Sequence, residues 1–321
     1  MSGARDGRER GVALLIVLLL LVSVAGVAVA TTALMTRAVA SAGAAQARDE
    51  AVWVLMGAER AALMLAETDE GVPRAPVPVQ TPDGPVTVSL RPVACINVNA
   101  LVTGQPGAYA TPKDQSGALA GPGAARLGAL VTALGGNGPA GLRLMEAAAD
   151  FIDTDDVPNT GGEEDFGYAR RAVPYRTAGT LLADPSELRA VAGWDVATYR
   201  ALAPYLCALP STDPLKVDVN GLGPSDAPIL AAILEDAPMS VAERLIAQRP
   251  QGGYAEVADF TGLPAITQIQ PAPAGLTELG VKPELLELTA RAERGGRTVT
   301  MTSRMYQGQN GWRVIGREFG A

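Results

Sequence analysis

The sequence predicts an α+β protein in which strands flank a helical middle, and three observations carry that class. No proline occurs before Pro73, so a helix begun at Val12 meets no break until about Glu70. Strand chemistry occurs twice, in "VTVSLRPVACINVN" and in the tail "RTVTMTSRMYQ" with "GWRVIGREF". Between them lie several stretches of helical periodicity.

The helix comes first. From Gly11 to Thr36 no residue is charged, and a bilayer core takes about 20 apolar residues as helix, so this segment can span one. Arg5, Arg8 and Arg10 precede it, which by the positive-inside rule keeps the N-terminus cytoplasmic and exports the rest. A cleavable leader fits the same residues locally, with Val12 to Val24 as its apolar region and Ala28-Val29-Ala30 as its small-x-small site. The residues downstream favour the anchor. After Arg37 the pattern turns amphipathic, with Val52, Leu55, Met56, Leu63 and Leu65 among Arg48, Glu50, Glu59 and Arg60. At 1.5 Å per residue, Val12 to Glu70 would run about 85 Å, far more than a membrane needs. Gly26, Gly43 and Gly57 each weaken such a helix by about 1 kcal/mol relative to Ala without ending it.

Pro73 to Pro85 is a Pro-rich connector. The stretch after it reads as one or two strands with a break at Arg91-Pro92, and Gly104 to Gly123 reads as an irregular loop. Helical patterns follow at Ala124–Leu134, Gly141–Phe151, Pro185–Val191, Val196–Ala208, Ser225–Leu234 and Val241–Gln248. The tail places Thr298, Thr300 and Thr302 on one face of a strand. Within the middle, "INVNAL" (Ile96–Leu101) recurs as "VDVNGL" (Val217–Leu222). Each copy leads into helices and later reaches an acidic-hydrophobic step, "PSELRAVAG" and then "YAEVADFTGL". Two related small helical modules account for this, and chance similarity of short Ala/Leu-rich pieces is the alternative.

Composition narrows the function. The 321 residues hold 36 Gly and 24 Pro but only 4% aromatics, so cores are built from Leu, Ala and Val. Net charge is −8 and the only lysines are Lys113, Lys216 and Lys282, a poor surface for binding a phosphate backbone. There is no histidine, which removes the Ser-His-Asp and Cys-His systems and nearly every zinc site. Ser, Thr and Tyr have no partner base, so no nucleophile is nominated and the chain reads as non-enzymatic. Cys95 and Cys207 are either one disulfide closing a loop of about 110 residues or two separate buried thiols.

Two motifs bear chemistry. "DFIDTDDVPNTGGEEDFGY" crowds Asp150, Asp153, Asp155, Asp156, Glu163, Glu164 and Asp165 around a Pro/Gly turn. Carboxylates at that density repel unless a cation lies between them, and Ca²⁺ accepts irregular oxygen loops. A solvated acidic loop is the plain alternative. The spacing is not an EF-hand, since Val157 and Pro158 fall where that loop wants a ligand and a glycine. A glycosidase carboxylate pair is disfavoured by the scarcity of aromatics, with only Phe151, Phe166 and Tyr168 nearby. The second motif, "VNGLGPSDAPILAAIL", resembles the helix-hairpin-helix fold that grips nucleic-acid phosphates. Asp218, Asp226, Glu235 and Asp236 surround it where that function wants Lys or Arg, so the likeness extends to fold only. Trp53, Trp194 and Trp312 read as core or interface anchors.

These features meet in one family. A short basic leader ends in Gly11 before a long apolar helix, as in substrates of the prepilin peptidase. "LRPVACINVNALV", "AADFIDTDD…GGEEDFGYARRAVPYRTAG", "LLADPSELRAVAGWDVATYRALAPYLCALP" and "VDVNGL" resemble the K-class minor pseudopilins of type II secretion systems, in order and over most of the chain. The resemblance implies a pilin-like fold, a long N-terminal helix packed on a small antiparallel sheet, with a large α-domain of helix-hairpin-helix or SAM-like modules inserted between the strands. On that plan residues 1–11 are the leader, 12–36 the membrane and fibre-core helix, 37–104 the first part of the pilin domain, 105–284 the inserted α-domain and 285–321 the last strands. It implies a periplasmic Ca²⁺ site drawn from Asp153, Asp155, Asp156, Glu163, Glu164 and Asp165, and a disulfide between Cys95 and Cys207. It implies cleavage between Gly11 and Val12, with methylation of the new Val12 amine.

Most pilin-like chains carry glutamate at the fifth residue after the cut, and here that residue is Ile16. A buried glutamate is costly unless it meets a charge, and its partner is the N-terminal amine of the subunit above. A subunit with nothing above it gains nothing from that carboxylate, so Ile16 marks the fibre tip. The expected partners are I- and J-class minor pseudopilins beside it, the major pseudopilin below, the prepilin peptidase, and the exported substrate or outer-membrane channel, with no nucleic acid. The expected location is the inner membrane, single-pass, with the bulk in the periplasm. Two other readings remain: a periplasmic helix-hairpin-helix DNA-binding protein of a competence apparatus, and a secreted calcium-dependent enzyme cut after Ala30.

Overall fold

The computed structural model describes residues 3–67, 72–73, 75–82, 84–235, 237–309 and 311–320, with side chains from residue 12 onward. The side chains of Arg5, Arg8 and Arg10, the surroundings of Gly11, the expected helix end at Glu70, and Asp236 lie outside what the structure describes. The first helix, α1, spans Gly3–Ala66. Its segment from Val12 to Ala42, which includes the apolar run, is exposed along its whole length, whereas Ala51, Val54, Leu55, Ala58 and Ala62 are fully or nearly buried. Those five recur at the three- and four-residue steps that put side chains on one helical face.

That face lies on a five-stranded antiparallel sheet whose strands run in the spatial order Val77–Thr81, Gly84–Pro92, Leu285–Arg294, Arg297–Gly308 and Gly311–Gly320. Val86, Val88, Leu90, Leu286, Leu288, Ala290, Val299, Met301 and Met305 meet the helix. The central strand Leu285–Arg294 has no counterpart among the strand stretches read from sequence, because Leu, Ala, Glu and Arg also favour helix. Its period is two, with Leu286, Leu288, Ala290 and Ala292 inward. Gly295 and Gly296, at φ 57° and 71°, make the two-residue turn into the next strand, a conformation that L side chains adopt reluctantly.

The register orients the molecule. Gly295 comes so close to α1 that an added Cβ would stand 2.9 Å from the Cβ of Ala47, and a Cβ on Gly311 would stand 3.9 Å from Glu67 Oε1. Chain departs from the sheet at Pro92 and returns at Leu285, and Leu285 pairs with Tyr306 near that second turn. The insertion therefore leaves the sheet at the end beside the C-terminus of α1, away from the apolar segment. Cys95 and Cys207 are joined there, with Cα atoms 5.7 Å apart. They pack with Leu209, Leu215, Leu285 and Ile315, so the bridge lies where the insertion meets the sheet. Ile315 reaches that cluster through a bulge, since Met305 pairs with Val314 and Arg304 with Gly316.

The insertion contains α2 (Pro122–Ala133), α3 (Gly138–Ile152) and the short α4 (Asp165–Tyr168), then a second set of short helices. Residues 96–104, grouped above with the first strands, pack here instead: Ile96, Val98, Leu101 and Val102 share a core with Leu127, Leu130 and Ile152. The stretch expected as an irregular loop holds a hairpin, Thr103–Gln105 with Ala108–Ala110, turned at Gly107 and anchored by buried Tyr109. The helical stretches are otherwise close to their expected bounds. Pro185–Ala190 is 3-10 throughout, Pro224–Asp226 is a 3-10 turn ahead of the helix Ala227–Ile233, and the expected helix Val196–Ala208 is α only to Leu202, continuing as 3-10 at Ala203–Tyr205 and then as the strand Leu206–Cys207.

The repeat is visible in the geometry. Ile96–Asn97 pairs in parallel with Leu206–Cys207, and Val217–Asp218 pairs in parallel with Leu279–Gly280. In the first copy Asn97 Oδ1 accepts from the Asn99 amide, and in the second Asp218 Oδ1 accepts from the Asn220 amide. Asn99 then grips both backbone groups of Leu182, accepting from its N–H at 2.9 Å and donating to its carbonyl at 2.9 Å. Asn220 grips Tyr254 the same way, at 2.7 and 3.0 Å. One pattern of residues thus closes each module.

Candidate metal centre

The acidic motif is built on the C-terminal end of α3. Glu146, Asp150 and Asp153 are four and three residues apart, so they lie along one side of the helix end. The first two fasten the loop that comes next: Glu146 Oε2 accepts from the Gly161 amide at 2.8 Å, and Asp150 accepts from the Asn159 amide at 2.9 Å and from the Asn159 side-chain nitrogen. These bonds turn the loop back so that Glu164, at the start of α4, points inward beside Asp153. Asp153, Asp155 and Glu164 each bring a carboxylate oxygen to within 4.8 Å of the others.

Two oxygens of these residues are orphans. Asp153 is 2% exposed and Glu164 7%, yet Asp153 Oδ1 and Glu164 Oε1 have no hydrogen-bond partner. The other Asp153 oxygen, Oδ2, accepts from Thr111 Oγ1 at 2.5 Å. Leaving a buried charged oxygen unpaired is expensive, so the cluster as it stands holds protons tightly. Burial, and then the neighbouring charges of Asp150, Asp153, Asp155 and Asp156, push the Glu164 carboxyl up to about 8. Burial lifts Asp153 to about 6 against the pull of the Thr111 bond, with Asp155 and Asp150 adding to the rise. Asp150 is also raised by burial, opposed by its bonds from Asn159.

The donor set fits a hard divalent cation. It is all oxygen, the chain has no histidine, and both cysteines are used in the disulfide. Calcium bonds to 6–8 oxygens, so three carboxylates would be completed by backbone carbonyls or water.

The other residues of the expected ligand set are placed elsewhere. Glu163 Oε2 accepts from Arg171 Nη2 at 2.5 Å, and that guanidinium stacks 4.1 Å from the Tyr168 ring centre. Asp165 Oδ1 accepts from the Thr177 amide at 2.8 Å and from its hydroxyl at 3.0 Å. Asp156 is exposed and lies outside the group of three. Sequence reasoning misses Thr111 and Asn159. Thr111 arrives from the hairpin, 42 residues before Asp153, and no local pattern marks it.

The remaining motifs carry no such chemistry. At the hairpin that resembles helix-hairpin-helix, the Gly223 amide donates to Asp226 Oδ2 at 2.7 Å and the Gly221 amide to the Asp218 carbonyl at 3.0 Å. Arg249 Nη1 is turned onto the Leu222 carbonyl at 2.6 Å. Amides that could face a phosphate are thus taken by the chain itself. Trp194 is buried with its Nε1 donating to the Leu144 carbonyl at 3.0 Å, Trp312 packs against the helix–sheet core, and Trp53 is exposed on α1. The segment of α1 that includes Ile16 is long and apolar enough to cross a membrane.

Known proteins resemble this chain at both levels, sequence and fold. Family models described as type II secretion system (T2SS), protein K, match residues 94–211 and 217–282, which are the two modules. The type II secretion system protein K of Pectobacterium carotovorum subsp. carotovorum is 33% identical over 274 residues, covering 80% of each chain. That of Klebsiella pneumoniae is 32% identical over 284 residues, covering 83% of each. Among solved structures, the GspK-GspI-GspJ complex from the type 2 secretion system of enterotoxigenic Escherichia coli contains a chain that matches with a TM-score of 0.69 at 27% identity, over 87% of this chain and 98% of that one.

Proposed function

Because the chain belongs to the type II secretion system protein K family, we propose that this minor pseudopilin caps the tip of the secretion pseudopilus. The observation that carries the proposal is the position of the insertion. It leaves the sheet at the end beside the C-terminus of α1, while the exposed segment Val12 to Ala42 extends from the other end. A subunit of that shape contributes a helix to a fibre below and offers no seat for a subunit above. Ile16 supports the same position, since an apolar side chain replaces the carboxylate that would meet the amine of an overlying subunit.

In this reading the leader is cut between Gly11 and Val12, the Val12 amine is methylated, and α1 rests first in the inner membrane and later in the fibre. I- and J-class minor pseudopilins pair with it there, a reading supported by the matching chain's place in a GspK-GspI-GspJ complex. The inserted modules face the exported substrate or the outer-membrane channel. Asp153, Asp155 and Glu164 hold a calcium ion, supported by the two orphaned buried oxygens. The ion would neutralise the three carboxylates and fix the loop between α3 and α4. Nothing at the Gly221–Gly223 hairpin favours the DNA-binding alternative.

The test is co-expression of the full chain with I- and J-class partners of one secretion system, followed by detergent extraction and N-terminal sequencing. A three-component complex whose K chain begins at Val12 is the expected result. A chain that begins at Thr31, found outside the membrane without partners, would overturn the proposal.

A further inference from the structure

We propose that Thr111 is a positioning residue for the ion site, and the inference rests on the calcium reading above. Its hydroxyl donates to Asp153 Oδ2 at 2.5 Å, and a carboxylate can only accept, so the hydroxyl proton is committed to that bond. With Oδ2 held, the other oxygen, Oδ1, is left buried and unpaired, on a residue whose carboxylate converges with those of Asp155 and Glu164. Thr111 therefore decides which way the Asp153 carboxylate presents itself.

The hydroxyl is itself fixed from three directions. Thr111 precedes Pro112, which confines its backbone to extended conformations. Its branched Cβ leaves few rotamers for the hydroxyl. Two residues earlier, the carbonyl of buried Tyr109 accepts from the Thr154 amide at 3.0 Å and from the Thr154 hydroxyl at 2.9 Å. The hairpin thus binds Asp153 and Thr154 together, with a backbone clamp beside the side-chain contact. The groups that orient a metal ligand commonly change affinity 10–100-fold when removed.

The experiment is a calorimetric Ca²⁺ titration of the full chain in detergent micelles, comparing wild type with Thr111→Val, Thr111→Ala and Thr111→Ser. Thr111→Val keeps the shape and deletes the donor, and Thr111→Ser keeps the donor. The expected result is at least about tenfold weaker binding for Thr111→Val and Thr111→Ala, with Thr111→Ser within about threefold of wild type. If Thr111→Val does not fold, as judged by circular dichroism in EDTA, Thr111→Ala carries the comparison. Wild-type affinity in both donor-less variants would overturn the inference and leave the ion site standing. Equal loss in Thr111→Ser would overturn it too, because the methyl group would then be the agent. No binding by wild type would overturn the calcium reading, and this inference with it.

Discussion

Arg317, on the edge strand, forks onto both carboxylate oxygens of Glu59, on α1: Nε reaches Oε2 at 2.7 Å and Nη2 reaches Oε1 at 2.7 Å. Ser303 Oγ donates a third bond to Oε2 at 2.6 Å. Glu59 is 4% exposed, so its charge depends on these donors, whereas the Arg317 side chain is 39% exposed and partly solvated. Arg317→Ala should therefore destabilise by about 2 kcal/mol, toward the low end for leaving one member of a buried pair alone. Glu59→Gln keeps one oxygen to accept from Arg317 Nε and Ser303 Oγ but sets its NH2 against Arg317 Nη2, so it should destabilise too, by less than Arg317→Ala because no buried charge is left unpaired. Urea unfolding of the two variants checks the order.

Asn99 stabilises the first module in the same manner as a strand would. Asn99→Leu keeps the branching at Cγ but leaves the Leu182 amide and carbonyl and the Leu209 carbonyl without their partner. Each orphaned buried group costs about 1–3 kcal/mol, so a loss of at least about 3 kcal/mol is expected. Asn220 is only half-buried, and Asn220→Leu should cost clearly less in the same denaturation assay.

Much of this was legible in the sequence, and the limits have physical causes. The unbroken α1, the paired "INVNAL" and "VDVNGL" turns and the acidic loop rest on local signals, which sequence displays. The strand Leu285–Arg294 carried its two-residue period in plain view, but its Leu/Ala/Glu/Arg composition argues equally for helix. The hairpin near Gly107 lay in a Gly/Pro-rich stretch whose large apolar anchors are few, Tyr109 and Leu119. The acidic loop offered seven carboxylates without saying which converge. That choice depends on Arg171, Thr177 and Asn159 drawing Glu163, Asp165 and Asp150 away, and long-range pairing of this kind leaves no spacing to read.

The disulfide closes 112 residues of chain, so its loss should be felt as a freer unfolded state. The Cys95→Ser and Cys207→Ser double variant should be less stable by about 5 kcal/mol on the chain-entropy scale. Denaturant midpoints with and without reductant check this, and reductant should leave the double variant unmoved.

Calcium binding should release protons. Glu164 stands at about 8 and Asp153 at about 6, above the usual carboxylate range. A carboxyl raised on folding stabilises the fold while protonated, so that contribution is complete below about pH 4 and is lost as pH rises through about 6 and then about 8. In EDTA, stability relative to an Asp153→Asn, Glu164→Gln double variant should fall between about pH 5 and about pH 8, and saturating Ca²⁺ should abolish the fall. At about pH 7 the heat of binding should vary with the ionisation enthalpy of the buffer. A heat independent of buffer would show that no proton leaves.

Position on the fibre is read most directly by gold labelling of the inserted modules on assembled pseudopili viewed by electron microscopy. A tip subunit requires label at one end of each fibre and none along the shaft. Label repeated along the shaft would mean that subunits stack above this one, which would contradict the proposed tip position.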